Sequence, residues 1–386
     1  MSATLETTLT VDEHRSAMDA YISEGKERAL ALGNRGPLHF DSDGNIHPDI
    51  MEAYWRCGFY VLENVIGNSE IELLKRDTQN LIDRAPAYKG ATVDKKGRPA
   101  FGEEFERDTY TWVVPLSDPV GGTDKNGGRH PSKMEEPVAT EDAPKHVLYM
   151  MYGMCQAMDS GLRLYGHPDL LQIAETINGP DFTPFNDAIF IKPAGLGGSV
   201  AWHQDGLTHW DSPDWDEGIH GFNFQVQLYP STPSNGLWVM PGTHKQGKID
   251  IKSLVESNGS ERLAGAVPLF CNPGDVTITN RQALHCSFAN TSDDLRVSLT
   301  FGFHRRRSVL GSTGKLGMSS GVIYDEDRVF ERSRVIQVAI DARKQFYPEE
   351  KSFLYQPFMG KEDDYRWNQI SRDEVIKDYN LKDLGI

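Results

Sequence analysis

Little in this chain suits a disulfide framework, a zinc ribbon or a membrane. Its 386 residues hold four Cys, Cys57, Cys155, Cys271 and Cys286. They are far apart and form no C-x-x-C pair, which argues against a stapled secreted fold or a structural zinc site. No apolar run approaches the roughly 18 residues that a membrane-spanning helix needs. The opening residues carry no basic and then apolar leader pattern. Basic charge is short as well: 40 Lys and Arg stand against 56 Asp and Glu, a net charge of −16. Such a surface repels nucleic acid, and the one tight basic cluster, His304-Arg305-Arg306-Arg307, is too short to reverse the field. These absences predict a reduced, cytoplasmic protein whose partner is a small molecule, neither nucleic acid nor membrane. They leave self-association open.

What is present supports a real core, with 38% hydrophobic and 10% aromatic residues. The N-terminal third of the chain reads as helical. Thr10 and Glu13 fit a capping box, and His47-Pro48-Asp49 suits a helix start. Gly58 to Leu62 is a short β-type run, followed by a helical period from Ser69 to Arg84. Residues 86–145 are rich in Gly, Pro, Lys and Asp and read as a long loop insertion. Helices are expected over Lys145–Leu164 and from His167 to Ile177. From Phe185 to Arg306 short apolar or alternating runs alternate with turn residues, as in a jelly roll or cupin. The expected architecture is one domain over 1–386 with a mainly β core and helical flanks, a double-stranded β-helix. Residues 1–184 are expected to be mostly helical, residues 185–307 to form the core, and residues 308–386 to form a C-terminal extension with helical stretches near 326–346 and 372–381.

The 12 His lead to chemistry. Two His and one carboxylate on one face are a common set of ligands for Fe(II). On extended backbone, positions i and i+2 point the same way, so His-x-Asp can offer both side chains to one ion. With 12 His and 32 Asp in the chain, about one such triplet is expected by chance, and there are five. His47/Asp49 and His167/Asp169 carry Pro between them and read as helix starts. His39/Asp41 reads as a turn. His203/Asp205 lies in the β region and is the candidate pair. His209/Asp211, in the neighbouring polar loop, is its rival, better suited to face substrate. His285, after the strand Val276–Thr279, is the candidate third ligand. Arg296 opens the next strand and shares a face with Ser298 and Thr300. If that face is interior, the Arg needs an anion, which a carboxylate-bearing cosubstrate supplies. If it is exterior, it is simply solvated.

Together these residues resemble the phytanoyl-CoA dioxygenase family of Fe(II)- and 2-oxoglutarate-dependent oxygenases. The likeness runs from about Phe190 to Arg306. It rests on Ile191-Lys192-Pro193, His203-Gln204-Asp205, the Asn235-Gly236 to Pro241-Gly242-Thr243-His244 segment, Pro273-Gly274-Asp275, and His285 eleven residues before Arg296. The resemblance implies that His203, Asp205 and His285 bind iron and act in catalysis. It implies that Arg296, helped by Ser298, binds 2-oxoglutarate, with Lys192 as a further contact. Many members have Trp where counting back from Gly236 gives Gln225; Gln225 and Gln227 share a face and can both point inward. Asp205 stands where related halogenases have a small residue, which favours hydroxylation, desaturation or ring rearrangement. The implied reaction uses O2 and releases succinate and CO2, on a metabolite or natural-product intermediate in a biosynthetic setting. Substrate contacts are sought at His209, Gln227 and Trp112. Two other classes remain: a cupin-like metal isomerase or dioxygenase without 2-oxoglutarate, for which Arg296 has no use, and an inactive binding protein on the same fold.

Overall fold

The computed structural model describes residues 9–386. Among these, twelve strands form two sheets. In spatial order the larger sheet holds β1 (Arg35–Pro37), β2 (Phe59–Glu63), β10 (Val276–Asn280), β7 (Phe222–Gln227), β12 (Arg296–His304), β5 (Thr183–Lys192), β4 (Val147–Tyr152) and β3 (Tyr110–Val113). The smaller sheet holds β6 (Val200–His203), β11 (His285–Ser287), β8 (Leu237–Val239) and β9 (Val267–Leu269). From β5 to β12 the chain passes repeatedly between the two sheets, which is the winding of a double-stranded β-helix.

Alternation along β12 explains how the larger sheet is held. Val297, Leu299, Phe301 and Phe303 are fully buried and pack with Phe222 and Phe224 of β7. The same core takes in the helices Asn68–Asp83, Asp159–Tyr165, Pro168–Asn178 and Glu326–Phe346. Burying each such side chain contributes about 1.5–3 kcal/mol. A slip of one residue would drive Arg296, Ser298 and Thr300 into this core, so the register is strongly specified.

The opposite face of the sheet looks inward, and its rows can be read from the pairing. One row is Gln227, Ser298, Phe190 and Met150. The next is Gln225, Thr300, Ala188 and Tyr152. Asn223 then faces Gly302. Gly302 is required there, because a Cβ would collide with the side-chain Oδ1 of Asn223 and the backbone carbonyl of Phe222.

Several local expectations hold. Thr10 and Glu13 form a capping box on the helix Val11–Ala31, and Pro48 and Pro168 occupy first helical turns. Others need correction. Lys145–Leu164 is not one helix: Val147–Tyr152 is strand β4, followed by short helices Met154–Ala157 and Asp159–Tyr165. The aromatic and apolar residues of β4 add to the edge of β5, and that pairing overrides helical propensity. The 86–145 segment contains β3 as well as loop. The helical stretch expected near 372–381 is present as a π-helical turn, Arg372–Ile376, and a 3-10 turn, Tyr379–Lys382. The four Cys are buried and free. No helix among the described residues is long and apolar enough to cross a membrane.

Candidate metal and cosubstrate site

The smaller sheet sets the histidines. His203 ends β6 and His285 begins β11, and the antiparallel register puts them directly opposite one another. Their ring centroids are 4.1 Å apart. Each ring is fixed by its own backbone: His203 Nδ1 donates to Ala201 O at 2.8 Å, and His285 Nδ1 to Ala283 O at 2.9 Å. A carbonyl only accepts, so Nδ1 carries the proton and Nε2 keeps its lone pair. Both Nε2 atoms face the Asp205 carboxylate, at 3.5 Å from Oδ1 and 3.9 Å from Oδ2. The three donor atoms all lie within 4.8 Å of one another, and all three residues are buried. Two lone-pair nitrogens and a carboxylate at this spacing fit a divalent first-row metal. Burial holds His285 down to about 4, which keeps it neutral and able to ligate.

Asp205 is held from three sides. Arg129 Nη1 is 3.1 Å from Oδ1, Asn223 Nδ2 donates to Oδ2 at 2.9 Å, and Arg281 Nε is 3.8 Å from Oδ2. Burial alone would raise its pKa. The Arg129 and Arg281 charges outweigh burial and hold the carboxyl well below its usual range. His130 lies over His203 at 4.2 Å between ring centroids, and burial pushes its pKa far down. Sequence reading missed Arg129, His130, Arg281 and Asn223. Asn223 was within reach, since the alternation that aligns Gln225 and Gln227 includes it. Arg129 and His130 come from the long loop and carry no periodic signal.

The strand β12 settles whether Arg296 is solvated. It is 4% exposed and lines the same cavity as the three ligand candidates. Arg296 Nη2 donates to Gln225 Oε1 at 3.0 Å, while its Nε and the hydroxyls of Ser298 and Thr300 have no partner. Lys192 faces Arg296 across the β5–β12 pair and donates to Phe288 O. Burial lowers Arg296 to about 10 and holds Lys192 well below its ordinary value, with Arg296 adding to the latter. A buried guanidinium beside unpartnered hydroxyls and the Lys192 amine makes a site for an anion.

The cavity has a volume of about 450 Å³. Three candidates for substrate contact stand apart from its lining. His209 sits at φ 66° and is hydrogen-bonded to Ser312 Oγ at 3.1 Å. Trp112 is half-buried on β3. Gln227 is buried beside Ser298. A second His–His–Asp group, His39, His47 and Asp49, lies toward solvent, with each His bound to an Asp49 oxygen. Asp41 caps its turn by accepting from Asp43 N and Asn45 N.

A two-histidine, one-carboxylate group on the inner face of a double-stranded β-helix defines the class of this protein. The chain matches the family model described as phytanoyl-CoA dioxygenase over residues 54–298, and it belongs to that family. No curated protein matches it. Among solved structures it is similar to EctD from S. alaskensis with 2-oxoglutarate and 5-hydroxyectoine. That likeness has 21% identity and a TM-score of 0.47, covering 71% of this chain and 81% of that one. It is also similar to AviO1 from Streptomyces viridochromogenes Tue57, at 19% identity and TM-score 0.46, covering 67% and 95%. A third likeness is to the non-heme alpha ketoglutarate dependent epimerase SnoN from nogalamycin biosynthesis. It has 16% identity and TM-score 0.43, covering 67% and 82%.

Proposed function

We propose that this protein is an Fe(II)- and 2-oxoglutarate-dependent oxygenase that oxidises a small molecule. The observation that carries this reading is one buried cavity with two chemical faces. One is His203, Asp205 and His285; the other is Arg296, whose Nε has no partner. When bound, iron and 2-oxoglutarate supply the oxidising power, consuming O2 and releasing succinate and CO2.

The chain's own residues do the rest. His203, Asp205 and His285 hold the metal, and the Ala201 and Ala283 carbonyls keep both imidazoles in the ligating tautomer. Arg129 and Asn223 orient the Asp205 carboxylate. Arg296 clamps the distal carboxylate of the cosubstrate through its planar fork, with Ser298 beside it, while Gln225 steadies the guanidinium. Lys192 adds positive charge to that end. Phe190 and Met150 form an apolar wall that excludes water from the reacting atoms. Asp205 occupies a ligand position, which favours hydroxylation, desaturation or ring rearrangement over halogenation. The net charge of −16 favours a free small molecule over a CoA ester.

Succinate formation is the test. It should require Fe(II) and 2-oxoglutarate together and rise with the true substrate. Iron-dependent turnover without 2-oxoglutarate would replace this reading with a cosubstrate-free dioxygenase or isomerase. Absence of metal binding would leave a binding protein.

A further inference from the structure

We propose that the β4 side of the cavity is a substrate-recognition subsite in which Asn380 reads a neutral carboxamide or lactam group. The proposal rests on the oxygenase reading for where the oxidised carbon lies.

Asn380 lines the cavity and is 3% exposed, yet neither its Nδ2 nor its Oδ1 has a partner. A buried amide left unpaired is costly, so a ligand or water must complete it. Its neighbour Gln156 is fixed by accepting from Asp378 N at 3.1 Å, and Gln156 Nε2 is itself unpartnered. Turning the Asn380 side chain would offer its oxygen to Gln156, and even then Nδ2 stays free to donate. Turned that way, Nδ2 calls for a substrate carbonyl; unturned, Nδ2 stays against Gly153 and Gln156 and Oδ1 calls for a substrate N–H, and a carboxamide or lactam offers both.

The charges beside it argue for a neutral group. Arg107 lines the same wall, with its guanidinium 3.7 Å from the Tyr152 ring centroid. Arg107 and Arg332 share Asp383 at 3.0 Å and 2.9 Å, and Asp187 supplies a second carboxylate beside Arg332, so the two positive charges are matched by two negative ones. An anion would find Arg107 engaged, and a cation would meet it head on. The rest of the wall, from Phe185, Phe190, Leu316 and Leu384, suits a flat apolar body.

Position separates this subsite from the metal. Asn223 on β7 touches Asp205, whereas Asn380 stands against Gly153, the residue after β4. β7, β12, β5 and β4 are consecutive in the sheet. Three strand spacings, ~14 Å, leave room for a body of about two fused rings between the two ends. The 316–319 and 380–385 segments of the wall lie beyond residue 298, where the family match ends.

The test uses the full-length protein with Mn(II) in place of Fe(II) and saturating 2-oxoglutarate. Calorimetric titration compares indole-5-carboxamide, indole-5-carboxylate and indole. The carboxamide should bind at least tenfold tighter than the other two. Asn380→Leu, close in shape, should bring it to the level of indole while leaving affinity for indole and for 2-oxoglutarate unchanged. Asn380→Asp should lose the preference too. Equal affinity for the three probes, or carboxamide binding untouched by Asn380→Leu, overturns the inference alone. Failure of the wild-type protein to take up Mn(II) and 2-oxoglutarate overturns the oxygenase reading and the subsite with it.

Discussion

Arg129 lies on Asp205. Its Nη1 is 3.1 Å from the carboxylate Oδ1 and 2.9 Å from the backbone carbonyl of the same residue. A residue of the long loop between β3 and β4 thus closes over the His203, Asp205 and His285 group. Arg281, fully buried, stands on the other side at 3.8 Å. Removing Asp205 leaves both guanidinium groups without their carboxylate, whereas removing His285 leaves no charge stranded. Metal-free Asp205→Ala should lose about 2 kcal/mol or more of stability beyond what His285→Ala loses in urea unfolding. Asp205→Asn, which still accepts from Arg129, should lose less. Equal losses for the two Ala variants would mean that the arginines do not depend on Asp205.

Gly302 and Asn223 should behave as one unit. A Cβ at 302 would displace the side-chain Oδ1 of Asn223, and Asn223 is what donates to Asp205 Oδ2. Gly302→Ala and Asn223→Ala should each weaken metal binding by about 10–100-fold. The double variant should lose less than the sum of the two single losses, because the first change acts largely through the second. Additive losses in a Mn(II) titration would contradict this coupling.

Arg296 should govern 2-oxoglutarate affinity rather than metal affinity. Arg296→Ala should weaken 2-oxoglutarate binding by at least tenfold, about 1.4 kcal/mol, and leave Mn(II) binding near wild type. Arg296→Lys should rescue little, since a point charge cannot form the planar fork. Unchanged 2-oxoglutarate affinity in the calorimeter would remove Arg296 from the site.

Acid should destabilise the metal-free protein through its buried histidines. Burial holds His220 and His244 at about 4, and His167 and His304 well below 6.5. Between the folded values and 6.5 the unfolded chain binds protons that the folded chain refuses. The stability they contribute is complete above pH ~6.5 and is lost as pH falls toward ~4. Asp383 and Glu261 act in the opposite sense. Burial raises them to about 6 and about 7, so the stability they contribute is lost as pH rises. Because the histidines held down outnumber the carboxyl groups pushed up, the urea midpoint should fall between pH 7 and pH 5. A midpoint that stays level or rises would contradict neutral burial of these histidines.

The sequence showed the fold where periodicity had room to appear. β12 spans nine residues and β5 ten, and both run through stretches that read as β from alternation. β9 and β11 have three residues and β6 four, too few to display a period, so these strands were not legible. β4 was misread because its apolar run has no polar partner positions and is defined by pairing with β5. At the site, His203, Asp205, His285 and Arg296 stood out through spacing and shared faces. Arg129, His130 and Asn380 arrive from loops and turns distant in sequence, and nothing local marks them. His209 was favoured by its place near His203, but its backbone turns it toward Ser312 instead.

On the proposed function, one iron and one 2-oxoglutarate share the cavity between His203, Asp205, His285 and Arg296. Anaerobic titration of Fe(II) into the metal-free protein, with and without 2-oxoglutarate, tests it most directly. A visible absorption band should appear only when both are present and saturate at one iron per chain. It should vanish in His203→Ala, Asp205→Ala and His285→Ala, and need more 2-oxoglutarate in Arg296→Ala. Iron uptake that ignores those three residues, or that is indifferent to 2-oxoglutarate, would contradict the account.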